Sequence, residues 1–150
     1  MEQQPSPTRA RTKARKAALD ILFEADLRGL PIADVLVDAD SRGEPVVRPY
    51  TRALVTGVAD DLEAIDESIA ARLPDGWSLD RMPRVDRNLA RLAACELQRG
   101  EVEPAIVISE AVTLAAALST DDSPAFLNGV LSGVAAADAV DKVGGGCAAT

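Results

Sequence analysis

The chain has 150 residues, a formal net charge of −8 and no histidine. A chain of this length suits a single domain, and the lack of histidine excludes Ser-His-Asp catalysis, Cys-His catalysis and histidine metal ligation. The two cysteines, Cys95 and Cys147, lie far apart in the sequence and form no C-x-x-C pair, which argues against a disulfide framework and against a zinc site.

Two features of the chain bear on its location in the cell. The N-terminus is basic, but no apolar segment follows it as in a secretion signal. No apolar run approaches the ~20 residues that cross a bilayer. The sequence therefore predicts a cytoplasmic protein that is not inserted in a membrane.

Positive charge is concentrated at the start of the chain. Residues 1–16 carry five basic and one acidic side chain, net +4, whereas the other 134 residues carry 11 basic and 23 acidic side chains, net −12. The five cations are Arg9, Arg11, Lys13, Arg15 and Lys16. Arg and Lys attract phosphates through charge and counterion release, so this arm is a candidate RNA contact. The alternative is a solvated basic start of a helix.

Apolar residues at three- and four-residue steps predict helices in the first half of the chain. The first helix begins at Thr8 or Thr12 and ends before Gly29 and Pro31. A shorter helix that contains Ile32, Val35 and Leu36 follows, before a polar break at residues 40–45. A longer apolar stripe predicts one helix of about five turns over residues 49–73.

The second half continues the helical pattern. It predicts one turn at 78–82 capped by Ser78, a helix from 84 to 99, a helix that Pro104 opens, and a last helix that Asp122 or Ser123 caps. Asn128-Gly129 between apolar residues is also a hairpin signal, so a hairpin at 126–131 is the alternative there. The pattern thus predicts an all-α fold of six or seven helices, with a disordered extension at 1–7, a helical domain at 8–140 and a flexible tail at 141–150.

A few polar and aromatic residues stand out in the second half. Arg81, Arg84, Arg87 and Arg91 form either an ion-paired surface or an interaction face. Phe126 is either a packing residue or an aromatic anchor that stacks on a base. The carboxylate pairs at 60–61 and 121–122 lack the spacing of a calcium loop, so we predict neither an active site nor a metal site.

Four segments, in order, resemble the NusB family of bacterial transcription antitermination factors, over roughly residues 8–135. They are ARKAALDILF at 14–23, WSLDRMPRVDRNLARLAACEL at 77–97, ISEAVTLA at 108–115 and DSPAFLNGVL at 122–131. Two positions depart from the family pattern: Ser109 replaces the usual Asn before Glu110, and Ala116 replaces a usual Lys.

The resemblance implies about seven helices in two packed bundles, with a helix rather than a hairpin at 126–131. It implies a non-catalytic protein without a cofactor, which binds boxA-type single-stranded RNA with a small-subunit ribosomal protein and other antitermination factors. The arm would contact RNA, and a surface facing RNA or a partner would include Asp86, Arg87, Asp122 and Phe126. The alternative function is a homodimeric protein-interaction module that makes no direct contact with RNA.

Overall fold

We describe the fold from a computed structural model that covers the backbone of residues 7–148 and the side chains of residues 9–141. Within these residues the chain forms helices and turns and no strand, which confirms the all-α prediction. The seven α-helices are α1 (Pro7–Arg28), α2 (Ile32–Arg42), α3 (Pro49–Asp60), α4 (Leu62–Ala70), α5 (Arg84–Arg99), α6 (Pro104–Leu118) and α7 (Ser123–Ala148).

The sequence predicts a disordered extension at the start of the chain and a flexible tail at its end. Residues 1–6 of the predicted extension lie outside the described residues, and Pro7 already belongs to α1. At the other end, α7 stays helical to Ala148, although a tail was predicted from residue 141. Each glycine in a helix costs only about 1 kcal/mol, and extending an existing helix is easier than starting one, so the three consecutive glycines do not end α7.

The single long helix predicted over residues 49–73 is wrong, because the structure divides it at Asp61. There the backbone leaves helical geometry, with φ −120° and ψ 26°. Aspartate is a weak former of helix interiors, and two aspartates meet at this point. The apolar stripe stays in phase across the one-residue interruption, with Leu54 and Val58 buried before it and Ile65 buried after it, so periodicity gives no sign of the break. The chain also divides here into two compact units, residues 1–61 and 62–150.

The first unit contains α1, α2 and α3. Alanines on α1 allow α3 to approach closely: Ala14 and Ala18 are buried, as is Leu54 on α3. The Thr51 hydroxyl donates a buried hydrogen bond of 2.9 Å to the Ala14 carbonyl oxygen, which fixes the first turn of α3 beside the basic part of α1.

An ion pair on the surface of the first unit joins α2 to α3. The Arg52 guanidinium donates to both carboxylate oxygens of Asp40, with Nη1 2.8 Å from Oδ2. These hydrogen bonds, and then the charge of Arg52, lower the pKa of Asp40 below its usual value.

This lowered pKa predicts a small loss of stability in acid. The unfolded chain takes up a proton on residue 40 near the ordinary pKa of about 3.9, whereas the folded chain does so only at lower pH. The contribution of the pair is thus complete above that pKa and is lost as the pH falls through the folded value. We expect Asp40→Asn to flatten the dependence of Tm on pH between about pH 5 and about pH 2. Asp38→Asn on the same helix is the matched control, and equal flattening in both variants would contradict the assignment.

The second unit is built around α5, which packs against α4, α6 and α7. Ten residues of α5 are buried, and the helix ends at Gly100, whose φ of 69° suits glycine. The predicted turn is present as a 3-10 turn at Leu79–Arg81, but Ser78 makes no side-chain cap. Instead, the Arg81 N–H bonds to the Ser78 carbonyl oxygen at 3.0 Å.

The last helix settles the choice at residues 126–131 in favour of helix. Leu127, Val130, Leu131 and Val134 are all buried. These positions share one face of a helix, whereas a hairpin would place neighbouring residues on opposite faces. The first turns of α6 are also helical, as predicted for a helix that Pro104 opens, although Ile106, Val107 and Ile108 are β-branched. No helix in the described part of the chain is long and apolar enough to span a membrane.

Candidate nucleic-acid interface

The basic arm is divided by the fold into exposed and buried cations. Arg9, Arg11 and Lys13 are exposed. The Lys16 side chain is 44% exposed, and its Nζ lies 2.8 Å from Asp20 Oδ1. We call these four cations the α1 basic surface.

Arg15 does not belong to this surface, because it is only 3% exposed. The prediction of Arg15 as an RNA contact is therefore not supported by its position. Three- and four-residue steps from Arg15 lead to Ala18 and Leu22, both buried, so Arg15 extends the apolar stripe of α1.

Tyr50, in the first turn of α3, contacts both Arg11 and Arg15. The Arg11 guanidinium carbon lies 5.1 Å from the centre of the Tyr50 ring, and that of Arg15 lies at 6.0 Å. Both distances fall in the range of a cation–π interaction. The Tyr50 ring thus contacts one exposed arginine, Arg11, and one buried arginine, Arg15.

A basic residue that the sequence analysis did not single out faces the α1 basic surface. A groove of about 420 Å³ lies between α1 and the connection from α2 to α3, and Arg48 on that connection lines it together with Lys13, Lys16 and Val46. An adjoining cavity of about 180 Å³ adds Arg42. Arg48 lies far from the arm in the sequence, so only the fold shows that it shares this groove.

The resemblance to the NusB family implies that Asp86 lies on the surface of the protein. In the structure, Asp86 is instead buried in the second unit. Its side chain is 2% exposed. Its carboxylate accepts hydrogen bonds from the Ser119 hydroxyl at 2.6 Å and from the Ser123 hydroxyl at 2.7 Å. An unpaired carboxylate would be costly to bury, and these two hydrogen bonds remove that cost. They also join the first turn of α5 to the end of α6 and the start of α7.

The arginine cluster of the second unit is largely engaged within the unit. The half-buried Arg87 donates to the Leu79 carbonyl oxygen at 2.9 Å, and Arg81 donates to the Gly76 carbonyl oxygen at 3.0 Å. Arg91 forms a two-point pair with Asp66 at 2.8 and 2.9 Å. These contacts favour a structural role for three of the four arginines, including the predicted surface residue Arg87.

Phe126 and Asp122 lie at the start of α7, together with an aromatic residue from another segment. The rings of Phe126 and Trp77 are 5.1 Å apart and tilted by 43°, and Trp77 is 46% exposed. Asp122 is exposed, and its carbonyl oxygen accepts the Phe126 N–H at 3.2 Å. Phe126 is half-buried, so the exposed ring of Trp77 is the part of this pair that offers a stacking face for a base or a partner side chain. The surface role of Phe126 and Asp122 stays a prediction.

Known proteins with similar sequences and folds share this architecture. The transcription antitermination protein NusB of Salinispora tropica is 55% identical over 131 residues, which is 84% of this chain and 95% of the relative. A solved structure of T. maritima NusB has a TM-score of 0.75 and 29% identity, and the match covers 89% of this chain and 92% of that one. A structure of the antitermination factors NusB and NusE in complex with double-stranded RNA has a TM-score of 0.74 and 30% identity, with 85% and 96% covered.

The family model agrees with these relatives. It is described as the NusB family and matches residues 12–136, a span that includes the α1 basic surface from Lys13 onward, the Asp86 network and the Trp77–Phe126 pair. The family model spans most of the chain, and the Salinispora relative exceeds half identity over nearly its whole length. The chain belongs to the NusB family.

Proposed function

We propose that this protein is a non-catalytic transcription antitermination factor of the cytoplasm. It binds boxA-type single-stranded RNA together with a small-subunit ribosomal protein and so suppresses termination. The observation that carries this proposal is the α1 basic surface, which presents exposed cations on a chain whose net charge is −8. Phosphates are attracted to such a surface, whereas the acidic remainder repels them.

The relatives support the same function. The Salinispora relative is a transcription antitermination protein, and one structural neighbour holds NusB with NusE and RNA. That neighbour contains double-stranded RNA. We assign a protein partner to this chain because that neighbour holds NusB together with a second antitermination factor, NusE.

The direct test is a titration of a fluorescent boxA-type RNA oligonucleotide with the full chain, alone and with the ribosomal partner, over a series of salt concentrations. Each phosphate contact on a single strand contributes about 0.7 to the slope of log K against log salt. With Arg15 buried, the four cations of the α1 basic surface predict a slope of about −3. An oligonucleotide of equal length and scrambled sequence is the control. A slope near zero with the boxA-type strand, with and without the partner, would contradict the proposal.

The alternative, a homodimeric interaction module, makes a different prediction. It requires the α1 basic surface to be covered by a second copy. Light scattering with and without the oligonucleotide separates the two cases, because a dimer unchanged by RNA favours the alternative and an RNA-bound species favours our proposal.

A further inference from the structure

We infer that the groove between α1 and the α2–α3 connection seats one nucleotide of the bound RNA. Its phosphate lies between Lys13 and Arg48, and its base lies against Pro45 and Val46. This inference rests on the proposed function and deepens it, because it extends the RNA path from the arm to a second segment of the chain.

The charges that line the groove favour an anion. Lys13, Lys16 and Arg48 face a single carboxylate, that of Asp20. Both Asp20 oxygens accept hydrogen bonds from Lys16 Nζ, at 2.8 and 2.9 Å, so this carboxylate largely balances Lys16. Neither Lys13 nor Arg48 forms an ion pair with another of the described residues. Two cations on opposite walls of the groove are thus available to one phosphate.

The size and the apolar part of the groove favour a nucleotide over a bare phosphate. A volume of about 420 Å³ lies in the range of sites for small organic ligands. Val46 is 78% exposed, which is unusual for a large apolar side chain, and Pro45 lies next to it on the same wall. Sites for single-stranded RNA combine cations that follow the backbone with apolar or aromatic surface that meets the bases.

The position of the groove indicates a polymer that continues beyond it. Lys13 lines the groove, and Arg9 lies four residues before it on the same face of α1. A strand that leaves the groove toward the start of α1 therefore meets a further cation. A single small anion would use only Lys13 and Arg48. The charge of the neighbouring surface therefore favours RNA as the occupant.

Arg48→Ser tests the inference with little risk to the fold. Arg48 is the residue that precedes α3, and its side chain makes no capping hydrogen bond, whereas serine is a favoured residue at that position. Arg28→Ser is the matched control, since it makes the same change of charge at the opposite end of α1, on an arginine paired with Glu24. Lys13 and Arg28 are separated by about 22 Å along the helix, more than two Debye lengths at physiological salt.

The readout is the titration of the fluorescent boxA-type RNA oligonucleotide at several salt concentrations. We expect Arg48→Ser to reduce the magnitude of the salt slope by about 0.7, which corresponds to about fivefold weaker binding at about 0.1 M salt. Arg28→Ser is expected to bind like the wild type, and Arg48→Lys to recover most of the lost affinity. Val46→Ser is expected to weaken binding with an unchanged slope, because an apolar contact releases no counterions.

Two negative results have different meanings. If the wild type does not bind the oligonucleotide, or binds it with a salt slope near zero, the proposed function fails and the groove inference fails with it. If the wild type binds with the expected salt slope, but Arg48→Ser matches Arg28→Ser, the groove inference alone is overturned.

Discussion

Asp86→Ala is expected to lower the free energy of unfolding by about 2–4 kcal/mol. The carboxylate is buried and accepts two short hydrogen bonds from Ser119 and Ser123. A hydrogen bond to a charged group contributes about 1.5–3 kcal/mol. Its loss leaves the buried Ser123 hydroxyl and the half-buried Ser119 hydroxyl with fewer partners. For a domain of this length we expect Tm to fall by roughly 5–15 °C. Thermal and urea unfolding, followed by circular dichroism, measure both quantities.

A set of smaller changes separates this structural role from a surface role. Asp86→Asn keeps the shape and one acceptor oxygen, so it should destabilise less than Asp86→Ala. Ser123→Ala removes one partner, and the double variant should show a coupling energy of about 0.5–3 kcal/mol with Asp86→Ala. If Asp86→Ala melts like the wild type and loses RNA or partner binding, Asp86 is a contact residue after all, as the resemblance to the NusB family implies.

Much of the fold can be predicted from apolar spacing because each helix buries one face. The stripe Leu127, Val130, Leu131, Val134 is buried as its spacing requires, even though Asn128-Gly129 locally favours a hairpin. The break at Asp61 could not be predicted in the same way. An interruption of one residue leaves the apolar stripe in phase on both sides of the break. The one local sign of the break in the sequence is the pair Asp60-Asp61, and such pairs also occur on exposed helix surfaces.

The site residues show a different limit of the sequence. Charge can be counted in a sequence, but burial is decided by the elements that pack against a residue. The burial of Arg15 could have been predicted from the sequence, since Ala18 and Leu22 follow it at helical steps and belong to the core. The burial of Asp86 could not, because its partners lie far along the chain, Ser119 at the end of α6 and Ser123 at the start of α7. The same holds for Arg48, whose relevance comes from a groove formed by two segments of the first unit.

Because Arg15 is buried and Arg11 is exposed, we expect Arg15 to contribute mainly to stability and Arg11 mainly to RNA binding. Arg15→Ala is expected to lower the free energy of unfolding by about 1–3 kcal/mol, because the packed side-chain stem and the interaction with Tyr50 are lost. Arg11→Ala is expected to change stability by less than about 1 kcal/mol, since Arg11 is exposed. Its effect should instead be weaker RNA binding, with a salt slope reduced by about 0.7. Urea unfolding and the RNA titration, both made on each variant, measure the two effects.

Two further variants make the comparison specific. Arg15→Lys keeps the charge but loses the planar guanidinium, so it should recover only part of the stability that Arg15→Ala loses. Arg28→Ala removes an equal charge from the far end of α1 and should leave RNA affinity near that of the wild type. If Arg15→Ala unfolds like the wild type but loses as much RNA affinity as Arg11→Ala, then Arg15 must leave its buried position when RNA binds. In that case the contact between Arg15 and Tyr50 would open in the binding reaction, because the guanidinium must leave its buried position to reach a phosphate.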